Sequence, residues 1–136
     1  MNLQRQELTL STGSQVLYEY DPETDLLEII FHQSKATAAV ELTESIVLRF
    51  NWETSQPLSL SFLSISRLIE PGEYGEVHFQ LLTDEWPIEA KSKVLAMLRQ
   101  PPLNEFLSLS SYTPANSHQV IPLTTIKDPR LSLLVA

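Results

Sequence analysis

The chain has 136 residues, 43% of them hydrophobic, with 17 acidic and 9 basic side chains, a formal net charge of −8 and no cysteine. A chain of this length buries roughly two-thirds of its unfolded surface, so a core needs neither metal nor disulfide. The missing cysteines exclude thiolate catalysis, zinc ribbons and iron–sulfur clusters. The scattered Lys and Arg residues argue against nucleic-acid binding, which needs clustered cations to meet phosphate.

Met1–Leu8 holds no apolar signal-peptide core, and no apolar run approaches the ~20 residues of a membrane span. The expectation is a cytoplasmic protein. Strands are expected from about Val16 to Ile69. The first two flank Tyr20-Asp21-Pro22-Glu23-Thr24-Asp25, where Pro22 presets φ for a turn and the Asp21 side chain can fold onto the following N–H groups. Leu27, Ile29 and Phe31 share one face of the second strand. Its other face, Leu26, Glu28 and Ile30, is mostly apolar too, so both sides are candidates for cover. Ala36–Leu42 is a further strand with Ala38, Val40 and Leu42 inward. Ile46–Trp52 follows with Ile46, Leu48, Phe50 and Trp52 on one face. After a turn at Glu53–Pro57, Leu58-Ser59-Leu60-Ser61-Phe62 alternates strictly and predicts Leu58, Leu60 and Phe62 in the core.

Pro71-Gly72-Glu73-Tyr74-Gly75 marks an internal boundary. Glu76–Leu81 then alternates with Val77, Phe79 and Leu81 inward. Glu85–Ala90 opens a helix in which Pro87 suits the first turn, with Ile88, Val94, Leu95 and Leu98 as its apolar stripe and Trp86 stapling its entry to the sheet. Pro101-Pro102 stops this helix. Leu103, Phe106 and Leu107 at i, i+3, i+4 suit a second, short one. Thr113–Ser117 is a loop. Val120–Ala136 is an apolar tail broken by Pro122, Asp128 and Pro129, either an edge strand or a segment that docks on another molecule.

The stretch Val16–Ile69 resembles a small bacterial family of unknown function with a Y-D-P-E-x-D-x-L-x-I opening followed by a strand meander. Tyr20, Asp21, Pro22, Glu23, Asp25, Leu27 and Ile29 carry the resemblance, with a looser match over Ile46-Val47-Leu48 and the strand to Ile65. Arg49, Asn51 and Ser61 stand where family members show acids and glycine. The resemblance implies a β-meander without an established activity, and some members look like partners of small toxin-like proteins.

Chemistry-bearing patterns are sparse. Gly13, Gly72 and Gly75 form no phosphate-binding loop. His32, His78 and His118 stand alone, without the paired spacing of a zinc site. His32 is expected in a solvated loop, His78 on the polar face of its strand, where Glu73 or Glu76 could approach it, and His118 in a polar loop. Asp21, Glu23 and Asp25 lack the glycine and distal glutamate of a calcium loop and read as a turn. Serines 59, 61, 108, 110 and 111 read as polar faces. No catalytic, cofactor-binding or metal-binding residue is assigned, and no cofactor is expected.

The sequence therefore predicts one α+β domain over 1–136. Its antiparallel β-meander half covers 16–70. Its second half, 71–136, adds one further strand, one or two short helices and an extended apolar tail. The expected function is a non-enzymatic protein-interaction or assembly module, a homodimer or larger, that binds neither nucleic acid nor membrane. The alternatives are an antitoxin-like acidic partner of a small basic protein, or a small-ligand binder or enzyme with an unrecognised site. Replacing Pro22 with Gly should lower stability by about 0.5–1 kcal/mol through the unfolded state. An unchanged or raised urea midpoint would remove the turn from the account.

Overall fold

The computed structural model describes residues 3–70 and 77–127. The boundary expected at Pro71–Gly75, the acids Glu73 and Glu76, and the tail from Asp128 lie outside them. Strands β1 (Gln4–Thr9), β2 (Gln15–Asp21), β3 (Leu26–Ile30), β4 (Ala38–Thr43), β5 (Ile46–Asn51) and β6 (Gln56–Leu63) form a six-stranded antiparallel sheet in the order β1-β2-β3-β6-β5-β4. Two three-stranded meanders are thus joined along one seam, β3 against β6, where Leu27 opposes Phe62 and Ile29 opposes Leu60. Strands β7 (Phe79–Gln80), β8 (Leu107–Tyr112) and β9 (Ile121–Ile126) make a second sheet in the order β7-β9-β8. Helix α1 (Ile65–Leu68) follows β6, and α2 (Ile88–Leu98) lies between β7 and β8 in sequence.

The alternation read from the sequence sets the buried face of the large sheet. Tyr18, Leu27, Ile29, Leu42, Ile46, Leu48, Phe50, Leu60 and Phe62 are fully or almost fully buried. Against them pack α2 through Ala90, Val94, Met97 and Leu98, and the segment Leu103, Phe106 and Leu107. One core is therefore drawn from both halves of the chain. The Phe106 ring stands 6.0 Å from that of Tyr18 and 5.7 Å from that of Phe31, within the range of tilted aromatic pairs. Trp86 is buried at the entry to α2, and its Nε1–H donates to the Glu41 carbonyl at 2.7 Å. That is the staple expected of it.

Several details differ from the expectations. Leu58 is buried but lies apart from the core cluster that takes Leu60 and Phe62. The register shifts between Arg49, opposite Ser59, and Phe50, opposite Pro57, so Leu58 is an extra residue on β6. On its other side, the N–H groups of both Phe31 and His32 reach its carbonyl, at 2.9 and 3.3 Å. This bulge breaks the alternation, and Leu58 joins Ile30 and Ser59 in lining a depression. Ile88 is 88% exposed. At 100° per residue it lies about 200° from Ala90, off the line of Ala90, Val94 and Met97. Val77 is exposed, and the strand expected over Glu76–Leu81 is only Phe79–Gln80 among the described residues. The second helix is a single 3-10 turn, Leu103–Glu105, because Leu107 already enters β8. The expected tail segment Ile121–Ile126 is the central strand of the small sheet, not its edge.

Strands β1 and β8 escaped the sequence reading, and helix α1 (Ile65–Leu68) stands at the end of a stretch expected as strands. Strand β1, Gln4–Thr9, is exposed along most of its length and pairs residue for residue with β2. It enters β2 through a turn closed by Leu10 N–H to Ser14 O at 2.8 Å, with Gly13 at φ +89°, a conformation that costs glycine little. Glu105 accepts hydrogen bonds from the N–H of Ser11 at 3.0 Å and from its hydroxyl, tying this turn to the chain after α2. Strand β8 carries Leu107 and Leu109 toward the core with Ser108 beside Thr125 of β9.

Replacing Trp86 with Phe removes the donor to Glu41 together with part of the buried ring. Equilibrium urea unfolding should show a loss of about 0.5–1.5 kcal/mol. No loss would remove the Trp86–Glu41 bond from the account of stability.

Candidate functional site

Turn chemistry comes first, because it accounts for the acidic motif. The Asp21 carboxylate accepts the Glu23 N–H at 2.9 Å, as the Asp-Pro order predicts. Asp25 takes φ +56° at the entry to β3. From there its carboxylate accepts the Ser66 N–H at 3.2–3.3 Å, the Ser66 hydroxyl at 2.5 Å and the Tyr20 hydroxyl at 2.9 Å, while its carbonyl accepts the Ile65 N–H at 3.1 Å. Ser64, the residue preceding α1, makes no capping bond with its own side chain. Asp25 satisfies the orphan donors of α1 from a hairpin 41 residues earlier. Burial pushes the Asp25 carboxyl up, but the hydrogen bonds from Ser66 and Tyr20 and the Arg67 charge outweigh it and hold the carboxyl below the ordinary aspartate range. Burial, then the bond to Asp25 and the charges of Asp25 and Asp21, raise the Tyr20 phenol. Tyr20, Asp21, Pro22 and Asp25 thus build a structural latch.

The second feature is the face of the large sheet turned away from α2. Its residues fall in rows across the strands: Glu28, Ser61 and Val47 in one, Ile30, Ser59 and Arg49 in the next. Ser59 and Ser61 are 6% exposed. The small serines make the floor of a trough walled by the longer side chains of β3 and β5. Arg49 Nη1–H donates to the Ser61 hydroxyl at 2.7 Å. Among the described residues Arg49 has no ion-pair partner, and Glu28 has none either. Leu17, Leu26, Ile30 and Val47 are half-buried on this face and Leu63 is 44% exposed. None of them belongs to the core, and no described helix lies over them. The trough widens into a depression of about 430 Å³ between Glu28, Arg49, Leu58 and His32.

The third feature is a cleft at the end of the sheet where α2 meets the β5–β6 turn. One half, about 420 Å³, is lined by Pro57, Ala96, Met97 and Pro101 with Lys93 and Gln100 at its rim. The other half, about 370 Å³, is lined by Val16, Phe31, Gln15, Gln56 and His32. The two meet at Pro57 and Pro101, and a cis bond joins Pro101 to Pro102. Lys93 Nζ–H donates to the Trp52 carbonyl at 3.0 Å, and the ammonium stands 5.0 Å from the Trp52 ring centre, a cation–π distance.

The three histidines are not brought together. His32 follows β3, His78 precedes β7 and His118 sits in the β8–β9 loop, all exposed. The approach of Glu73 or Glu76 to His78 lies outside the described residues. No group of three or more His, Asp or Glu among the described residues is arranged to hold a metal. No helix among them is long and apolar enough to cross a membrane. The sequence reading placed Trp52 with the core and assigned no role to Lys93 or to Glu28 and Arg49 as a pair. Helical spacing alone does not bring Lys93 to Trp52, but the parity of β3, β5 and β6 could have put Glu28 and Arg49 on one face. Comparison of the chain with protein-family models, curated proteins and solved structures found no match.

The latch sets a pH dependence. A depressed carboxyl contributes stability that is present above the unfolded aspartate pKa of about 3.9 and is lost as pH falls through the lower folded value. The variant Asp25→Asn keeps a residue that tolerates positive φ but removes the charge. It should unfold about 1–2 kcal/mol more easily at pH 7. The difference from the parent should shrink between about pH 4 and the acid limit of folding. A gap that stays constant with pH would assign the latch to geometry and not to charge.

Proposed function

We propose that this chain is a non-enzymatic assembly module whose open sheet face receives a second copy of itself. The observation that carries this reading is the serine-floored trough, with Glu28 on one wall and Arg49 on the other, neither in an ion pair among the described residues. Their midpoint lies over β6 between Ser59 and Ser61. A two-fold axis in the plane of the face, passing over that midpoint at right angles to the line joining the two residues, sets Glu28 of each copy against Arg49 of the other. An isologous interface requires such self-complementarity. The ring of Leu17, Leu26, Ile30, Val47 and Leu63 supplies the apolar contact around the two ion pairs, and a two-sheet sandwich is a standard way to bury such a face. Each ion pair would contribute chiefly to register and specificity, because charge pairs recover little net free energy once desolvated.

Light scattering coupled to size exclusion should give a dimer at micromolar concentration. Val47→Glu places a further carboxylate between Glu28 and Glu41 on each face and should give a monomer with an unchanged fold by circular dichroism. Glu28→Arg and Arg49→Glu should each weaken the dimer at least tenfold, and the double variant should restore it. A parent chain that is monomeric at every concentration tested ends this reading. A dimer indifferent to all three changes moves the interface elsewhere.

A further inference from the structure

The cleft beside α2 has a charge character opposite to that of the chain. With 17 acidic and 9 basic residues over the sequence, no Asp or Glu stands among the described residues lining either half, while Lys93 and His32 do. Lys93 is half-buried, held by the Trp52 carbonyl and ring with the Ser55 hydroxyl at 3.5 Å, and has no carboxylate within ion-pair distance among the described residues. A fixed cation without a counter-ion at the rim of an apolar hollow is complementary to an anion that carries an apolar body. The hollow, about 420 Å³, is of the size that small ligands occupy.

The lining distinguishes a small molecule from a peptide. An extended peptide needs backbone donors and acceptors alongside it. Pro57, Pro101 and Pro102 have no N–H to offer, and the Ala96 and Met97 backbone lies within α2, where its groups bond to one another. The hollow is otherwise mostly side-chain surface: Met97 and Ala96 as an adaptable apolar floor, Gln100, Ser92 and Ser55 as neutral polar groups, and one ammonium. We infer that this cleft binds a small amphiphilic carboxylate, its carboxylate on Lys93 and its unbranched apolar body along Ala96, Met97, Pro57 and Pro101. The inference is independent of self-assembly, since the cleft lies on the α2 side of the sheet.

Decanoate, below its micellar concentration, and decanol, below its solubility limit, are the probes, titrated into the full-length chain with amide chemical shifts as the readout. Decanoate should saturate with the largest shifts at Ala96, Met97 and Gln100, and decanol should bind at least tenfold more weakly. Lys93→Met keeps the apolar stem and should bring decanoate to the level of decanol. Ala96→Trp, at an exposed helix position, should fill the hollow and abolish both, which keeps the test valid if the Lys93 variant unfolds. Equal affinity for the two probes, indifference to both variants, no saturation at millimolar decanoate, or tighter binding of N-acetyl-trileucine than of decanoate would each overturn the assignment.

Discussion

The seam between β3 and β6 is the constraint on which the rest depends. Each three-stranded meander forms from local turns, but the two become one sheet only where Leu27 meets Phe62 and Ile29 meets Leu60. Those four side chains are fully buried, and fully burying such a side chain contributes about 1.5–3 kcal/mol. The pairing closes a long loop, and loop closure has an entropic cost that a few strand hydrogen bonds do not cover. Asp25 extends the same seam past the ends of the strands, because it anchors α1 immediately after β6. The acidic turn and the sheet junction are therefore one cooperative unit rather than a hairpin beside a helix.

What the sequence discloses here is what is local. The period-2 runs at β3, β5 and the core end of β6, the Asp21-Pro22 turn and the break at Pro101-Pro102 all follow from neighbouring residues. Asp25 could be read only as a turn acid, since its partner Ser66 lies 41 residues away. Leu58 could be misread because a bulge depends on the strands on either side, which leave the sequence of β6 itself perfectly alternating. Ile88 looks like part of a helical stripe until the helix phase is fixed by Trp86 on the sheet. Strand β1 has no apolar periodicity at all, and exists because β2 offers it an edge. For the candidate sites the same division holds. Face parity makes Glu28 and Arg49 neighbours in principle, whereas the meeting of Lys93 with Trp52 requires the packing angle of α2.

Acidity is unevenly used. On the open face both signs stand close together and partly exposed, which favours reciprocal contacts between like surfaces. In the cleft the acids are excluded among the described residues and the cation is held by an aromatic ring rather than a carboxylate. A ring satisfies an ammonium without neutralising it, so the positive charge stays available. The bulge at Leu58 separates the two regions: Pro57 before it lines the cleft, and Ser59 after it floors the trough.

The 81–86 segment has a consequence for how this protein can multiply. Leu82 N–H takes the Leu42 carbonyl at 2.9 Å and the Trp86 indole takes that of Glu41, so the outer border of β4 offers fewer free backbone groups to a foreign strand. The opposite border, β1, is exposed and carries Arg5, with Glu19 of β2 3.3 Å away, and Glu7, charged side chains of the kind that discourage strand addition. Lateral growth into ribbons or fibrils is obstructed on both flanks. Strand addition at the β4 border would have to displace the Trp86 indole from the Glu41 carbonyl.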